Sequence, residues 1–368
     1  MNRQEHKRVI ISGGGTGGHV FPAISIANAL RRIDRDIDIL FVGALGKLEM
    51  EKVPAAGYRI VGLPVAGIDR KNPFRNILVF FRLMKSLRIA GKTLREFRPH
   101  AAVGVGGYAS GPVLRKAGKM NIPILIQEQN SYAGVTNRLL ARKASVICVA
   151  YDGMEKYFPS GKIIKTGNPV RQNFDDLKAK QEEALGFFGL KAGLPVVLVL
   201  GGSLGAGTIN RCLSENLETL KRPDCQWLWQ TGRYYYDGIR KLVPEEGGTI
   251  SVHSFIDRMD LAFAAATIII SRAGAGTISE LCLVGKPVIL VPSPNVAEDH
   301  QTKNAMALGE RNAAVVVPDS GAAEFLLPEA LKLVSDEERK VTLSRNIANM
   351  AERDADARIA AEILKLIK

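Results

Sequence analysis

Short, continuous apolar runs recur along the chain, and several end directly in glycine clusters. Residues 8–12 run into Gly13-Gly14-Gly15-Thr16-Gly17-Gly18-His19, a helical stretch follows at 22–30, and a second apolar run covers 37–42. Strand, glycine turn, helix and strand make the opening of a doubly wound α/β domain. Further runs lie at 101–105, before Gly106-Gly107-Tyr108, at 122–126, before Gln127-Glu128-Gln129-Asn130, and at 145–149. The grammar then restarts: residues 195–200 lead into Gly201-Gly202-Ser203-Leu204-Gly205, with more runs at 226–230, 267–271 and 287–291. Runs that stay apolar, instead of alternating, predict parallel strands covered on both faces. The two glycine turns stand about 190 residues apart, a repeat at the scale of a domain.

This pattern predicts two Rossmann-like doubly wound α/β domains facing a central cleft, over residues 1–167 and 168–344. Residues 167–194 read as the linker. An amphipathic helix over roughly 335–368 is expected at the end, its last part, about 345–368, packing back on the first domain. Apolar residues make up 46% and charged residues 24% of the 368, which excludes a disordered chain. No run approaches the ~20 residues of a membrane span, and the opening MNRQEHKR does not read as a signal peptide. Cys148, Cys212, Cys225 and Cys282 are widely spaced and read as reduced thiols. Charge divides the chain more sharply. Residues 1–170 carry 27 Lys and Arg against 11 Asp and Glu, a net of +16, and residues 171–368 carry 23 against 26, a net of −3. The two halves therefore face different partners.

A glycine turn between strand and helix aims backbone N–H groups and a helix dipole at an anion. Gly13-x-Gly15-x-x-Gly18 matches the dinucleotide fingerprint, but the second strand ends Phe41-Val42-Gly43-Ala44, without the acid that a ribose needs. Gly201-x-Ser203-x-Gly205 matches the nucleophile elbow of hydrolases, with His253 or His300 and Asp257 or Asp299 as nominal partners. A phosphate-cradling turn is the better reading, since a hydrolase gives the first half's turns no role. Asp34-x-Asp36-x-Asp38 precedes a strand, at the end of the sheet away from the glycine turns, and reads as a solvated loop. His19 opens a helix directly after a glycine turn, where the dipole favours the neutral, proton-accepting imidazole. Arg272-Ala273-Gly274-Ala275-Gly276-Thr277-Ile278-Ser279-Glu280 follows a strand and opens another helix, with Glu280 placed to accept ribose hydroxyls. Residues 75–98 predict an amphipathic helix whose apolar side runs beside Arg82, Lys85, Arg88 and Lys92. Residues 65–100 hold nine Lys and Arg against two acids, which fits an anionic lipid surface. No nucleic-acid module is present in the sequence, and nucleic acid is not expected as a partner.

Taken in order, GGGTGGHVFPA (13–23), GVGGYASGP (104–112), QEQNSYAGVTN (127–137), GNPVR (167–171), GGSLGAGTIN (201–210), SRAGAGTISE and DHQTKNA resemble the bacterial peptidoglycan N-acetylglucosaminyltransferases of the GT-B superfamily over nearly the whole chain. The resemblance implies an inverting transfer of N-acetylglucosamine from UDP-N-acetylglucosamine to the C4 hydroxyl of the muramoyl sugar of lipid I, giving lipid II. It implies an acceptor domain first and a donor domain second, working peripherally at the cytoplasmic face of the cell membrane. His19 is the implied general base, with Glu128 the second candidate. The implied donor residues are Thr16, Gly17, Gly18, Asn130, Arg171, Ser203, Ile256, Ala275, Gly276, Thr277, Ser279, Glu280 and Gln301. Gly106, Gly107, Tyr108 and Asn137 fall on the acceptor side, and Phe80, Phe81, Arg82, Lys85, Arg88 and Lys92 on the membrane side. No cofactor or metal site is implied, though a divalent cation could assist by screening the pyrophosphates. Gln127, Leu204 and Gly276 depart from residues common in such relatives.

Overall fold

The computed structural model describes residues 6–66, 75–170, 174, 176–202, 204–243, 248–296 and 299–367. The chain divides into two compact units, Met1–Val170 with Glu352–Lys368, and Arg171–Ala351. The first contains β1 (Arg8–Ser12), α1 (Gly17–Ile33), β2 (Asp38–Ala44), α2 (Glu49–Ala55), β3 (Arg59–Leu63), α3 (Arg75–Phe97), β4 (Ala101–Gly104), α4 (Ser110–Lys119), β5 (Ile124–Glu128), α5 (Val135–Leu140), β6 (Val146–Val149) and β7 (Ile163–Lys165). All its strands are parallel, in the order β3-β2-β1-β4-β5-β6-β7. The chain's direction of winding reverses between β1 and β4, and the crevice beyond the carboxyl ends of such strands is where open α/β sheets bind ligands.

The second unit holds α6 (Gln181–Phe188), β8 (Val196–Leu200), α7 (Gly207–Ser214), α8 (Leu217–Leu220), β9 (Gln226–Gln230), α9 (Tyr236–Arg240), β10 (Ile250–His253), α10 (Met259–Ala265), β11 (Ile268–Ser271), α11 (Ala275–Val284), β12 (Val288–Leu290), α12 (His300–Gly309), β13 (Val315–Val316), α13 (Ala322–Ser335) and α14 (Glu337–Ala348). Its parallel sheet runs β10-β9-β8-β11-β12-β13, reversing between β8 and β11. The last helix, α15 (Ala355–Leu366), returns to the first unit.

The continuous apolar runs follow from sheets covered twice. Val9 and Ile11 of β1 enter a core with Ile26 and Leu30 of α1 and Ile359 and Ile363 of α15. Ile10, between them, faces the opposite core with Leu94 of α3, Val113 of α4 and Leu140 of α5. In the second unit Val197, Val199, Trp227, Trp229 and Ile270 share one core with Ile209 of α7 and Leu326 of α13.

Two expectations are corrected. Residues 167–194 are no plain linker, because they include α6, whose Ala184 and Phe188 are buried, and Phe174, whose ring meets Phe263 edge-on at 5.2 Å. The helix expected over 335–368 is two, and the chain passes from the second unit to the first between α14 and α15. Strands β3, β7, β10 and β13 escape a search for apolar runs. They are short and only partly covered, and β3, β7 and β10 carry Arg59, Lys165 and His253.

Candidate active site

In the first unit the carboxyl ends of β1, β4 and β5 gather three polar turns. After β1, Thr16 adopts extended backbone and starts α1 without a side-chain capping bond, so Gly17 and Gly18 open the helix. An uncapped start leaves N–H groups pointing out of the helix end. The Thr16 hydroxyl lies 3.3 Å from His19 Nδ1, and the His19 ring covers Gly106, where a Cβ would fall 2.8 Å from Nε2. Gly107 rests against the Gly14 backbone so closely that a side chain there would overlap its carbonyl. The Ser110 hydroxyl at the start of α4 reaches the carbonyls of Ser12 (2.9 Å) and Gly106 (2.7 Å), fastening the two turns together. Tyr108, on the same turn, is 60% exposed. His19, Thr16, Gly106, Gly107 and Tyr108 thus share one edge of one sheet.

Glu128 ends β5 and is 2% exposed. Its carboxylate accepts four hydrogen bonds, from the Asn130 N–H (3.1 Å) and side-chain amide (3.2 Å), the Gly134 N–H (3.0 Å) and the Asn137 amide (2.9 Å). Burial pushes its carboxyl above the usual range, while these donors pull the other way. A carboxylate so enclosed shapes the loop that leads into α5. Asn137, expected at the acceptor, is itself buried and turned to Glu128, and Asn130 gives its amide to the same group. Beside them Gln127 donates to Asn168 (3.0 Å), and Asn168 donates to the Gln129 carbonyl (3.0 Å), tying the GNPVR segment to β5. A cavity of about 520 Å³ lies on α5, lined by Arg138, Leu139, Arg142, Lys156 and Tyr157 among others, and none of the expected site residues lines it.

Helix α3 differs from its sequence reading in where its apolar side is covered. Ser86, Ala90, Thr93 and Leu94 are buried, whereas Phe80 and Phe81 are 58% and 64% exposed, beside exposed Leu83 and Met84. Arg82, Lys85, Arg88 and Lys92 are exposed too, Lys92 pairing with Glu96 at 3.7 Å.

In the second unit the turn after β8 is built on β9. The Gly201 N–H donates to the Gln230 carbonyl (3.1 Å), and the Asn210 amide of α7 reaches the Thr231 carbonyl (2.8 Å) while accepting from Trp229 Nε1 (3.0 Å). Ile256 gives its N–H to Gln230 Oε1 (3.0 Å). At α11, Gly274 has extended backbone and supplies no side-chain cap, so the N–H groups of Ala275, Gly276 and Thr277 open the helix. Glu280 lies half-buried one turn on. The Ser279 hydroxyl is turned back to the Ala275 carbonyl (3.1 Å), and Gln301 Oε1 accepts the Ser293 N–H (2.9 Å), so each holds backbone at this edge. Arg272 donates to the Val291 carbonyl (3.0 Å) and pairs with Asp319. Arg171 and Ser203 lie outside the described residues.

His253 contacts Ser251 Oγ through Nε2 (3.0 Å) and meets the Phe188 ring edge-on at 5.4 Å, and burial lowers its pKa. Asp299 accepts the Thr302 hydroxyl (2.7 Å) at the start of α12. Asp34 pairs with Lys7 (3.0 Å) and Asp38 with Arg59 (2.8 Å), at the amino ends of the strands. The cysteines are buried thiols, Cys148 and Cys282 pushed up to about 12.

Residues 9–149 match the glycosyltransferase family 28 N-terminal domain, and residues 196–359 match the family's C-terminal domain. The chain belongs to glycosyltransferase family 28. Within family 28 it is 60% identical over 361 residues, 98% of each chain, to a protein of Parabacteroides distasonis named UDP-N-acetylglucosamine--N-acetylmuramyl-(pentapeptide) pyrophosphoryl-undecaprenol N-acetylglucosamine transferase. A protein of Phocaeicola vulgatus with the same name is 57% identical, over 99% of this chain and 97% of its own. The crystal structure of Acinetobacter baumannii MurG superposes with a TM-score of 0.79 at 26% identity, covering 98% of this chain and 99% of that one. A family 28 transferase has no need of the hydrolase triad that GxSxG suggested.

Proposed function

We propose that this chain transfers N-acetylglucosamine from UDP-N-acetylglucosamine to the C4 hydroxyl of the muramoyl sugar of lipid I, yielding lipid II and UDP in peptidoglycan synthesis. The observation that carries it is 60% identity across 98% of the chain to a relative named for that transfer. In the reaction the acceptor oxygen attacks the anomeric carbon, the bond to the diphosphate breaks, and the attacking hydroxyl loses its proton. Attack opposite the leaving group inverts the anomeric centre.

His19 suits the base. Its ring stands at the carboxyl edge of the sheet beside Thr16 and Gly106, half-exposed. Glu128 suits a positioning role instead, since four donors already surround its carboxylate. Gly106, Gly107 and exposed Tyr108, against the same turn, support the acceptor side. On the donor side, the open start of α11 and the glycine turn before α7 offer N–H groups to charge growing on the leaving diphosphate. Glu280 takes the ribose hydroxyls, the Ile256 carbonyl the base, and Ser203 and Arg171 the phosphates and nucleotide. Gln301 suits a donor-sugar role in the second unit, and the sequence motifs give Thr16, Gly17, Gly18 and Asn130 of the first unit donor roles as well. Backbone donors supply this stabilisation without a resident metal.

No described helix is long and apolar enough to cross a membrane. The exposed aromatic and basic end of α3 supports peripheral attachment to an anionic membrane at its cytoplasmic face, where the lipid acceptor resides.

Radiolabelled transfer from UDP-N-acetylglucosamine to a short-chain lipid I analogue tests the reading, with UDP-glucose and UDP-N-acetylgalactosamine as competing donors. Product from UDP-N-acetylglucosamine alone is expected. Absence of product, with UDP still bound, would retain the fold and remove the acceptor.

A further inference from the structure

We propose that Glu49 is a positioning residue for the transfer, its buried carboxylate seated in the first glycine turn and holding that turn in the shape that presents Thr16 and His19. The inference rests on the transferase reading above. Glu49 stands at the start of α2 and is 1% exposed. Its Oε2 accepts the Gly15 N–H (2.9 Å), and its Oε1 accepts the Ala44 N–H at the end of β2 (2.7 Å). The surroundings are cut to fit it: a Cβ at Gly14 would overlap its carboxylate, and a Cβ at Gly43 would overlap its Cγ.

Glycine turns ahead of a helix attract anions because their N–H groups and the helix dipole point the same way. Here the chain supplies the anion itself. The Gly15 N–H is committed to Glu49, so the turn keeps its shape with no phosphate in it. The same turn bears Gly107 against Gly14, and Gly106 lies under the His19 ring. A shift at Gly14–Gly15 therefore moves the platform on which His19 rests. The ribose-binding acid missing from the end of β2 has a counterpart five residues on, facing inward to the protein's own backbone.

The test uses the full chain in the radiolabelled transfer assay, where the wild-type rate judges the transferase reading by itself. Glu49→Gln keeps the shape and one acceptor oxygen but turns an amide N–H toward a backbone N–H. Its kcat is expected to fall about tenfold to a hundredfold, the scale on which small displacements of reacting groups act. Its KM for UDP-N-acetylglucosamine should rise by a smaller factor than kcat falls, since the donor reading of Thr16 gives the same turn a share in donor binding while His19 acts in the transition state. Glu49→Ala should lose more, and added formate, small enough for the vacated seat, should restore part of kcat while leaving the wild type unchanged. Wild-type kcat in Glu49→Gln overturns the inference, as does a folded Glu49→Ala that formate does not reactivate. Should Glu49→Ala not fold, Glu49→Gln decides alone. A wild type with no transfer removes the transferase reading instead.

Discussion

At the scale of single residues, the site turns on which polar groups are sealed inside the protein and which reach solvent. His19 follows β1 and Glu128 ends β5, at the same sheet edge, yet only His19 is half-exposed. His19→Ala is expected to lower kcat by about a hundredfold to ten-thousandfold, the usual worth of a general base. The KM for UDP-N-acetylglucosamine should change little, and steady-state kinetics separates the two. An unchanged kcat would take His19 out of the chemistry. The position of His19 was legible because a glycine turn, a strand end and a helix start adjoin it in sequence. Glu128 was legible as an acid after a strand, but its four donors come from a loop that folds back on it, which spacing does not reveal. Glu49 left no sequence signal at all. Its partners are backbone N–H groups, and its fit depends on the missing side chains of Gly14 and Gly43.

At the scale of elements, apolar runs located the strands covered on both faces and passed over those at the margins. β8 reads as a strand at sight because all five of its residues are buried, whereas β10 has none buried. Helix α3 was found by its period, but period alone does not say where the covering layer stops. The second half of α3 lies on β-sheet and α4, while its Phe80–Lys85 stretch stays exposed. Reversing charge at Lys85, Arg88 and Lys92 together should weaken binding to vesicles of anionic lipid. Each basic residue is worth about 1 kcal/mol near such a surface, so removing three costs at least a hundredfold in affinity. Vesicle flotation reads this directly, with transfer to a soluble acceptor analogue preserved. Vesicle binding unaltered by the reversal would return that face to solvent.

At the scale of the whole molecule, the charge asymmetry follows the units rather than merely the halves of the sequence. The returning segment 352–368 has four basic and four acidic residues, so the first unit keeps its net +16 and the second its −3. The repeated strand-and-glycine grammar made two Rossmann-like sheets legible, but the passage of the chain back into the first unit depends on Ile359, Ala360 and Ile363 filling a core 200 or more residues earlier in the chain. Ile363→Ala should destabilise the first unit by about 2–5 kcal/mol, the cost of a cavity at a fully buried position. The two tryptophans, Trp227 and Trp229, both sit in the second unit, so their fluorescence follows that unit alone. Urea unfolding should show a lowered circular-dichroism midpoint with the fluorescence midpoint in place. Coincident shifts in both signals would mean the units unfold as one.

The return of α15 also sets an order of events during synthesis. Domains ordinarily complete themselves from the amino end as the ribosome delivers them. Here residues 171–351 form an uninterrupted unit, and the unit that begins the chain lacks its last helix until after they are made. The nascent first unit must wait with the seat of Ile359 and Ile363 uncovered, while the later-made unit is already free to close. The unit that carries the turns of His19 and Gly106 is thus the last to be finished, and a polypeptide stopped at residue 351 would have a whole second unit and an unfinished first one.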